Sequence, residues 1–208
     1  SLILLQGVIG WYMVKSGLVN DITVSHYRLS IHLSTAILII SIVFWLIKNI
    51  TSNKNKIFFK FSKNNFPFQI LIFIIFVQII LGAFVSGLDA GKIYQTWPLM
   101  GNAYIPDDLL YENVISIFQF DNHSLVQFYH RNLAYLIILY TFGLSIFIYR
   151  KRTLNLHKPL KILLFVLFIQ VLLGIITLVS GLNIYLASLH QITSVLLVFS
   201  ALNLYYFN

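Results

Sequence analysis

The chain alternates long apolar runs with short polar stretches. A helix that crosses a bilayer needs about 20 apolar residues, and five runs reach that length. Residues 1–15 are also apolar but short for a span, so we expect them to end a helix whose beginning precedes Ser1. The pattern predicts an all-α polytopic membrane protein, built as an antiparallel transmembrane helix bundle. We expect the full spans over residues 27–47, 67–88, 125–149, 161–182 and 185–207.

The start of the chain repeats near its end. Residues 6–18 match residues 170–182 at an offset of 164, and after a loop six residues longer the match continues at an offset of 158. An internal repeat indicates a structural unit that is used more than once. We therefore expect two repeated four-helix halves with the first half truncated: residues 1–47 remain of that half, 48–66 form a basic linker, and 67–208 form the second half. The matched pairs include Gln6 and Gln170, Gly10 and Gly174, Ser30 and Ser188, His32 and His190, and Thr35 and Thr193.

Composition excludes a water-soluble domain, because 59% of the 208 residues are hydrophobic and only 10% are charged. The net charge of +8 indicates topology rather than nucleic-acid binding. Residues 48–66 and 150–161 hold ten of the fourteen Lys and Arg and none of the six Asp and Glu. Basic loops stay on the cytoplasmic or matrix side of a membrane, which places the acidic loop 89–124 outside. The chain has no cysteine, which excludes disulfides and thiolate metal sites.

Three histidines lie at one depth. His32, His130 and His190 each fall within about two turns of the outer end of a predicted span. An ionisable residue inside a span is costly and usually faces the bundle interior, and neutral imidazole binds heme iron. His130 and His190 come from alternate spans of one four-helix unit, so they can face each other across it. The alternative is a set of histidines hydrogen-bonded inside the bundle; the shared depth and the repeat favour iron ligands.

Other polar residues have weaker interpretations. Arg131 follows His130 and suits a heme propionate, or it snorkels to the interface. Three glutamines, each four residues before a glycine, are interpreted as packing signatures of closely approaching helices. We expect three further histidines to be solvated, and the loop 89–124 to be either a lid over an outer site or a solvated connection. The glutamines are Gln6, Gln78 and Gln170, and the histidines are His26, His123 and His157. The sequence assigns no role to the loop acids Asp89, Asp107, Asp108 and Glu112.

The ordered motifs resemble one family. They read GWYMVKSGL at 10–18, VSHYRLSIHL at 24–33, LGAFVSGLDAG at 81–91, TWPLMG at 96–101, YEN at 111–113, VQFYHRNLAY at 126–135 and LASLHQ at 186–191. Together they cover nearly the whole chain and resemble heme A synthase, a membrane enzyme with eight spans in two four-helix halves. The family's first two spans, with a partner histidine and an essential glutamate, have no counterpart here. We therefore expect this segment by itself to be inactive.

The resemblance implies an oxidoreductase that converts a methyl group of heme O to the formyl group of heme A, for cytochrome oxidase. It implies a heme b cofactor whose iron is held by His130 and His190, with Arg131 beside it, and a second heme, the substrate, at His32. The cysteine-free loops resemble the proteobacterial and mitochondrial branch, which implies a bacterial or mitochondrial inner membrane. The implied partners are heme O, the lipid bilayer and an electron donor that the sequence does not identify. Heme O synthase and a second copy of the chain are further candidates.

Two other protein classes stay open at this point. A bis-histidine cytochrome b, acting only in electron transfer, would carry the same histidine pair. Such proteins usually place hemes at both membrane faces, whereas the candidate ligands here share one face. A transporter built from repeats predicts a polar site at the membrane midplane, where this sequence offers only glutamines.

Overall fold

The computed structural model describes residues 1–17, 24–110 and 117–208, apart from the side chains of residues 16, 17, 107 and 110. Asp21, Glu112 and the motif at 111–113 lie outside the described residues. Within that part of the chain the fold is all-α, with no β-strand and one isolated bridge between Met100 and Ala103. Five helices, α2, α3, α5, α6 and α7, are long and apolar enough to cross a membrane, as predicted. The described helices are α1 (Leu2–Gly17), α2 (His26–Thr51), α3 (Phe66–Gly87), α4 (Asp107–Leu110), α5 (His123–Arg150), α6 (Leu154–Val179) and α7 (Ile184–Phe207).

Local sequence explains where these helices begin. Asn122 caps α5 by accepting a hydrogen bond from the backbone N–H of Leu125, and Asn183 caps α7 in the same way. The predicted start of α6 is wrong, because the helix begins at Leu154 rather than at residue 161. Leu156 and Leu160 are buried, so tertiary packing extends the helix through a stretch that its charges and Pro159 mark as a loop.

The second half of the chain forms a closed ring of four helices. α3 packs on α5, α5 on α6, α6 on α7, and α7 on α3, so that α5 and α7 stand across from each other. α2 packs against α3 and α7, and α1 packs against α2. The division of the chain into a truncated first half, a linker and a second half at residues 67–208 stays a prediction.

Successive spans run in opposite directions, which gives the bundle two distinct ends. At the basic end, Lys56 Nζ donates a hydrogen bond to the carbonyl of Tyr206 over 2.6 Å. Burial, and to a smaller extent nearby Lys54, lowers the pKa of the Lys56 amine. At the opposite end Leu182 packs against Gly91, so close that a Cβ on the glycine would lie 2.8 Å from a leucine methyl. The positive-inside rule places the basic end in the cytoplasm or matrix; the opposite end is called the outer end below.

Packing differs between the two ends of the ring. In α7, all of whose residues are described, the buried residues lie between Leu197 and Tyr206, in the inner half. α5 buries no residue between Gln127 and Ile137, and α6 buries none between Leu167 and Thr177. The three helices therefore leave a loosely packed layer toward the outer end, above a dense inner core. His130 and His190 lie in that layer.

Candidate functional site

Each of the three predicted histidines packs against a glycine of the preceding helix. A Cβ added to Gly10, Gly82 or Gly174 would lie 2.9, 3.2 or 2.9 Å from Cε1 of the histidine that the glycine faces. Real Cβ atoms rarely approach another atom so closely, so glycine makes room for the imidazole. A glutamine one helical turn earlier completes each arrangement, which we call a histidine unit. The first unit is Gln6, Gly10 and His32, the second is Gln78, Gly82 and His130, and the third is Gln170, Gly174 and His190.

The glutamine amide contacts the histidine in all three units. The distance between the glutamine Nε2 and the imidazole Nε2 is 3.4 Å in each. Gln6 and Gln78 also donate to the backbone carbonyls of His32 and His130, over 3.0 and 2.9 Å. The interhelical role that the sequence gave these glutamines is therefore confirmed. Its partner is a histidine in every case, which the spacing of glutamine and glycine does not reveal.

The third unit holds its histidine through further hydrogen bonds. Nδ1 of His190 lies 3.1 Å from the carbonyl oxygen of Gln170. A carbonyl only accepts, so this contact puts the proton on Nδ1, and Nε2 carries the lone pair that faces the side-chain amide of Gln170. The hydroxyl of Thr193, one turn after the histidine, donates to Oε1 of Gln170. Both the imidazole and the glutamine that touches it are thereby fixed.

The second unit is less completely bonded. Nδ1 of His130 and Oε1 of Gln78 are buried, and neither has a hydrogen-bond partner within the described chain. Leu133 occupies the position one turn after His130 where the third unit has Thr193. A buried polar atom without a partner is costly, so the second unit has unused bonding capacity beside its imidazole.

His130 and His190 project from helices that stand across from each other in the ring. Both imidazoles are half-buried and lie in the loosely packed layer. Two opposed imidazoles suit an iron whose four other positions are filled by a porphyrin. The imidazole of His190, oriented by the bond from Nδ1 to Gln170, and the glycines that make room beside both rings fit that group.

A bare metal ion fits the described residues less well. Among them, no three His, Asp or Glu side chains converge as a metal site. Two cavities of about 510 and 590 Å³ lie toward the basic end, and neither is lined by a histidine. The site is therefore marked by the opposed imidazoles and the loose layer around them.

Arg131 fastens the outer loop to α5. Its two terminal amino groups donate to the carbonyls of Tyr94 and Leu99, over 2.9 and 3.1 Å. Trp97 Nε1 donates to the hydroxyl of Tyr135 over 3.1 Å, and the hydroxyl of Tyr104 donates to Asn132. This part of the loop therefore lies against the outer end of the helix that carries His130. Nε of Arg131 is buried and lacks a partner among the described residues.

His32 lies beside Gln6 and Gly10 of α1, on the far side of the molecule from the ring. Within the described residues, its side-chain contacts are with Gln6 and Gly10. The prediction that His26 is solvated is wrong: its side chain is buried and its Nε2 lies 3.4 Å from Oδ1 of Asp121. The ring of His26 also packs edge-on against Phe84 of α3, so tertiary contacts bury a histidine that a loop-edge position exposes in sequence. His123 is exposed as predicted, and His157 packs against Tyr149 over 4.5 Å.

The acids of the outer loop take part in local contacts. Asp89 pairs with Lys92 over 2.8 Å, and Asp108 accepts a hydrogen bond from the Tyr94 hydroxyl over 3.0 Å. The side chain of Asp107 lies outside the described part. None of the described acids contacts a histidine unit.

Comparisons with known proteins find related sequences along nearly the whole chain. The model of the family described as Cytochrome oxidase assembly protein (COX15-CtaA) matches residues 1–202. The chain is 46% identical to a heme A synthase of Pelagibacter ubique (strain HTCC1062), over 100% of the chain and 60% of that protein. It is 40% identical to a heme A synthase of a Wolbachia pipientis strain from Culex pipiens, over 96% and 58%, and 38% identical to one of Rickettsia africae, over 93% and 58%. The chain thus spans about three fifths of the length of these curated relatives. It belongs to the cytochrome oxidase assembly protein family.

Proposed function

We propose that this chain carries the cofactor half, and part of the substrate half, of a heme A synthase. The reaction is oxidation of one methyl group of heme O to the formyl group of heme A. Two hydroxylations of one carbon followed by loss of water give that formyl group. The observation that carries the proposal is the pair of opposed imidazoles, His130 and His190, in the loosely packed layer of a four-helix ring. The names of the relatives support the choice of substrate.

The resident cofactor in this proposal is heme b, held by His130 and His190. A heme held there would supply one-electron transfer, chemistry that protein side chains do not perform themselves. His190 enters with Nδ1 bonded to the carbonyl of Gln170, the tautomer whose Nε2 can bind iron once the side-chain amide of Gln170 gives way. Arg131 is the propionate partner in this proposal, with its unpartnered Nε as the available donor.

The substrate heme O is assigned to His32 and the first half. The first unit repeats the glutamine and glycine contacts of the other two, so His32 is held as the other two histidines are. In this proposal His32 binds the substrate iron and thereby positions the porphyrin methyl group for oxidation.

Location and partners follow from the same proposal. The charge asymmetry orients the basic end toward the cytoplasm or matrix of an inner membrane, with the heme sites near the opposite surface. Molecular oxygen is the oxidant in this proposal: each hydroxylation inserts one of its oxygen atoms into a C–H bond, and two electrons and two protons, the electrons from a separate donor, reduce the other oxygen atom to water. The hydroxylated or oxidised product passes to the assembly of cytochrome oxidase.

Extracted hemes test the proposal. The purified full-length protein, produced in cells that make heme O, is expected to show a low-spin bis-histidine spectrum and to yield heme A or its hydroxylated intermediate. His32→Ala should remove these products and keep the low-spin spectrum. A low-spin spectrum with heme b alone, unchanged by His32→Ala, would instead identify a cytochrome b that only transfers electrons. Absence of any heme spectrum would exclude both activities.

A further inference from the structure

We propose that Gln78 and Gln170 are positioning residues that orient His130 and His190 toward a shared heme iron. The inference rests on the proposed function, because it takes these two histidines as the ligands. It assigns a role to glutamines that carry no charge and touch no reacting atom. They act through the imidazoles.

The first support is repetition. The same three residue types meet in three places, on three different pairs of helices: α1 with α2, α3 with α5, and α6 with α7. The amide-to-imidazole distance is 3.4 Å in each. The surroundings differ, because α1 is mostly exposed whereas α3 has buried residues along its whole length. A contact that survives such different environments belongs to the unit and not to the general packing of the bundle.

The second support is the geometry of the contact. In the first unit Nε2 of Gln6 lies 3.1 Å from Nδ1 and 3.4 Å from Nε2 of His32. The carbon Cε1 lies between those two nitrogens, so an in-plane approach would collide with it, and the amide must lie over the ring. The same amide donates to the backbone carbonyl of His32. The glutamine therefore restrains both the ring and the helical turn that carries it.

The glycine one turn later completes the restraint. Residues four apart lie on one face of a helix, so the glutamine and the glycine form one continuous surface beside the imidazole. In the third unit Gly174 lies against Cε1 while Gln170 contacts both ring nitrogens, one through its side chain and one through its carbonyl. The ring can then move in few directions other than toward the opposite helix.

Partners of this kind matter for metal ligands. Groups that hydrogen-bond a ligating histidine fix its tautomer and orientation, and their loss lowers metal affinity about 10- to 100-fold. The competing explanation is that the glutamines only join helices. α3 itself provides a matched control, because buried Gln69 donates to the carbonyl of Lys60 over 3.1 Å and to the hydroxyl of Tyr205 over 3.2 Å. Gln69 is a buried interhelical amide with no histidine among these partners.

The test compares Gln78→Met and Gln170→Met with Gln69→Met in the purified holoprotein. Methionine keeps the length and bulk of glutamine and removes the hydrogen bonds of its side-chain amide. We expect the first two variants to bind heme b about 10- to 100-fold more weakly and to shift the low-spin electron paramagnetic resonance signal. Gln69→Met should keep both the affinity and the signal. Gln78→Asn keeps an amide on a side chain one methylene shorter, and its heme affinity should fall between those of wild type and Gln78→Met. This variant replaces Gln78→Met in the test if the methionine variant does not fold.

The outcomes separate this inference from the proposed function. If wild type and all three methionine variants share one signal and one heme affinity, the glutamines only pack helices and the inference is wrong. An unaltered signal in Gln78→Asn together with a misfolded Gln78→Met would overturn it as well. If wild type has no bis-histidine signal, or keeps it in His130→Ala, the proposed function fails instead.

Discussion

The second and third histidine units place equivalent imidazoles on opposite sides of one ring, but they are supported in different ways. The third unit is local: α6 and α7 are joined by the short turn after Val179, and Gln170, Thr193 and His190 bond to one another. The second unit is completed from a distance, because its helices are separated by the long outer loop. That loop lies on α5 through Arg131, the residue next to His130.

The difference shows that a repeated unit can be stabilised by different neighbours. His190 depends on hydrogen bonds inside one helical hairpin, so changes in the outer loop should leave it in place. His130 has an unpartnered Nδ1 and an unbonded Gln78 oxygen within the described chain. It should therefore respond to changes in the loop, and it is the ligand with greater freedom to move. The predictions below test this contrast, from the largest expected effect to the smallest.

Removal of either histidine should have the largest effect. His130→Ala and His190→Ala should each abolish the low-spin bis-histidine absorption, because the iron then keeps one protein ligand. The measurement is the optical spectrum of the purified protein. His123→Ala is the matched control for α5, since His123 is exposed at the same end of that helix, and its spectrum should equal that of wild type. Loss of the signal in the control would mean that the outer end of α5, rather than the ligand, had been disturbed.

Substitution of the glycines that face the two imidazoles should have the second-largest effect, and it should destabilise the second and third units to different extents. Gly174→Ala brings a Cβ within 2.9 Å of His190 Cε1, and Gly82→Ala brings one within 3.2 Å of His130 Cε1. Overpacking costs about 1–3 kcal/mol, and we expect the larger loss at Gly174, where the ring is fixed and cannot retreat. Thermal unfolding in detergent measures the loss.

Gly143→Ala is the control for this pair, because no atom lies within 4 Å of its added Cβ. It should be neutral or stabilise α5 by about 0.4–1 kcal/mol. Equal destabilisation in all three variants would contradict the role of Gly82 and Gly174 in making room for the imidazoles.

Detaching the outer loop should affect the second unit alone. Arg131→Gln removes the charged donors to the carbonyls of Tyr94 and Leu99, and hydrogen bonds from charged groups contribute about 1.5–3 kcal/mol when partly buried. We expect amide hydrogen exchange in residues 93–101 to rise about tenfold, equivalent to ~1.4 kcal/mol, while exchange in α6 and α7 stays unchanged. Lys92→Gln breaks the exposed pair with Asp89 and should leave the exchange of this segment near its wild-type rate.

Exchanging the residue one turn after the histidine should have the smallest effect. Thr193→Val keeps the shape of the side chain and removes the hydroxyl that bonds Gln170, so it makes the third unit resemble the second. We expect a loss of about 1 kcal/mol in unfolding free energy. Leu133→Thr makes the reciprocal change beside His130 and should narrow the low-spin resonance by restraining Gln78. If Thr193→Val changes nothing, the two units do not differ in the way their hydrogen bonds indicate.

The sequence predicts most of what depends on hydrophobic length and on repetition. Run lengths gave the five spans, and the repeat gave the shared depth of His32 and His190 together with the pairing of alternate helices in the second half. Glutamine and glycine at a spacing of four also stood out. Their partner did not, because a histidine 26 or 52 residues away is brought to the glutamine by helix packing and not by spacing.

The rest could not be predicted because it depends on tertiary contacts between distant segments. Asp121 and Phe84 bury His26, and neither is near it in sequence. Leu156 and Leu160 are drawn into the core and extend α6 through a basic stretch that otherwise reads as a loop. Arg131 bonds two carbonyls of the outer loop, and carbonyls leave no signature in a sequence. A local sequence pattern reflects the requirements of one helix or loop. Each of these three outcomes depends on a contact between two such elements.

The dense inner half of the ring also determines where the histidine pair lies within the membrane potential. Moving one elementary charge through the full membrane potential changes its energy by about 2.3 kcal/mol per 100 mV. His130 and His190 lie toward the outer surface, with the core that includes Leu144, Leu163 and Leu202 between them and the basic end. An electron that arrives from the outer surface crosses a small part of that potential, whereas one from the basic end crosses most of it. Under the proposed function, reduction of the heme from the outer side would therefore be nearly insensitive to the membrane potential.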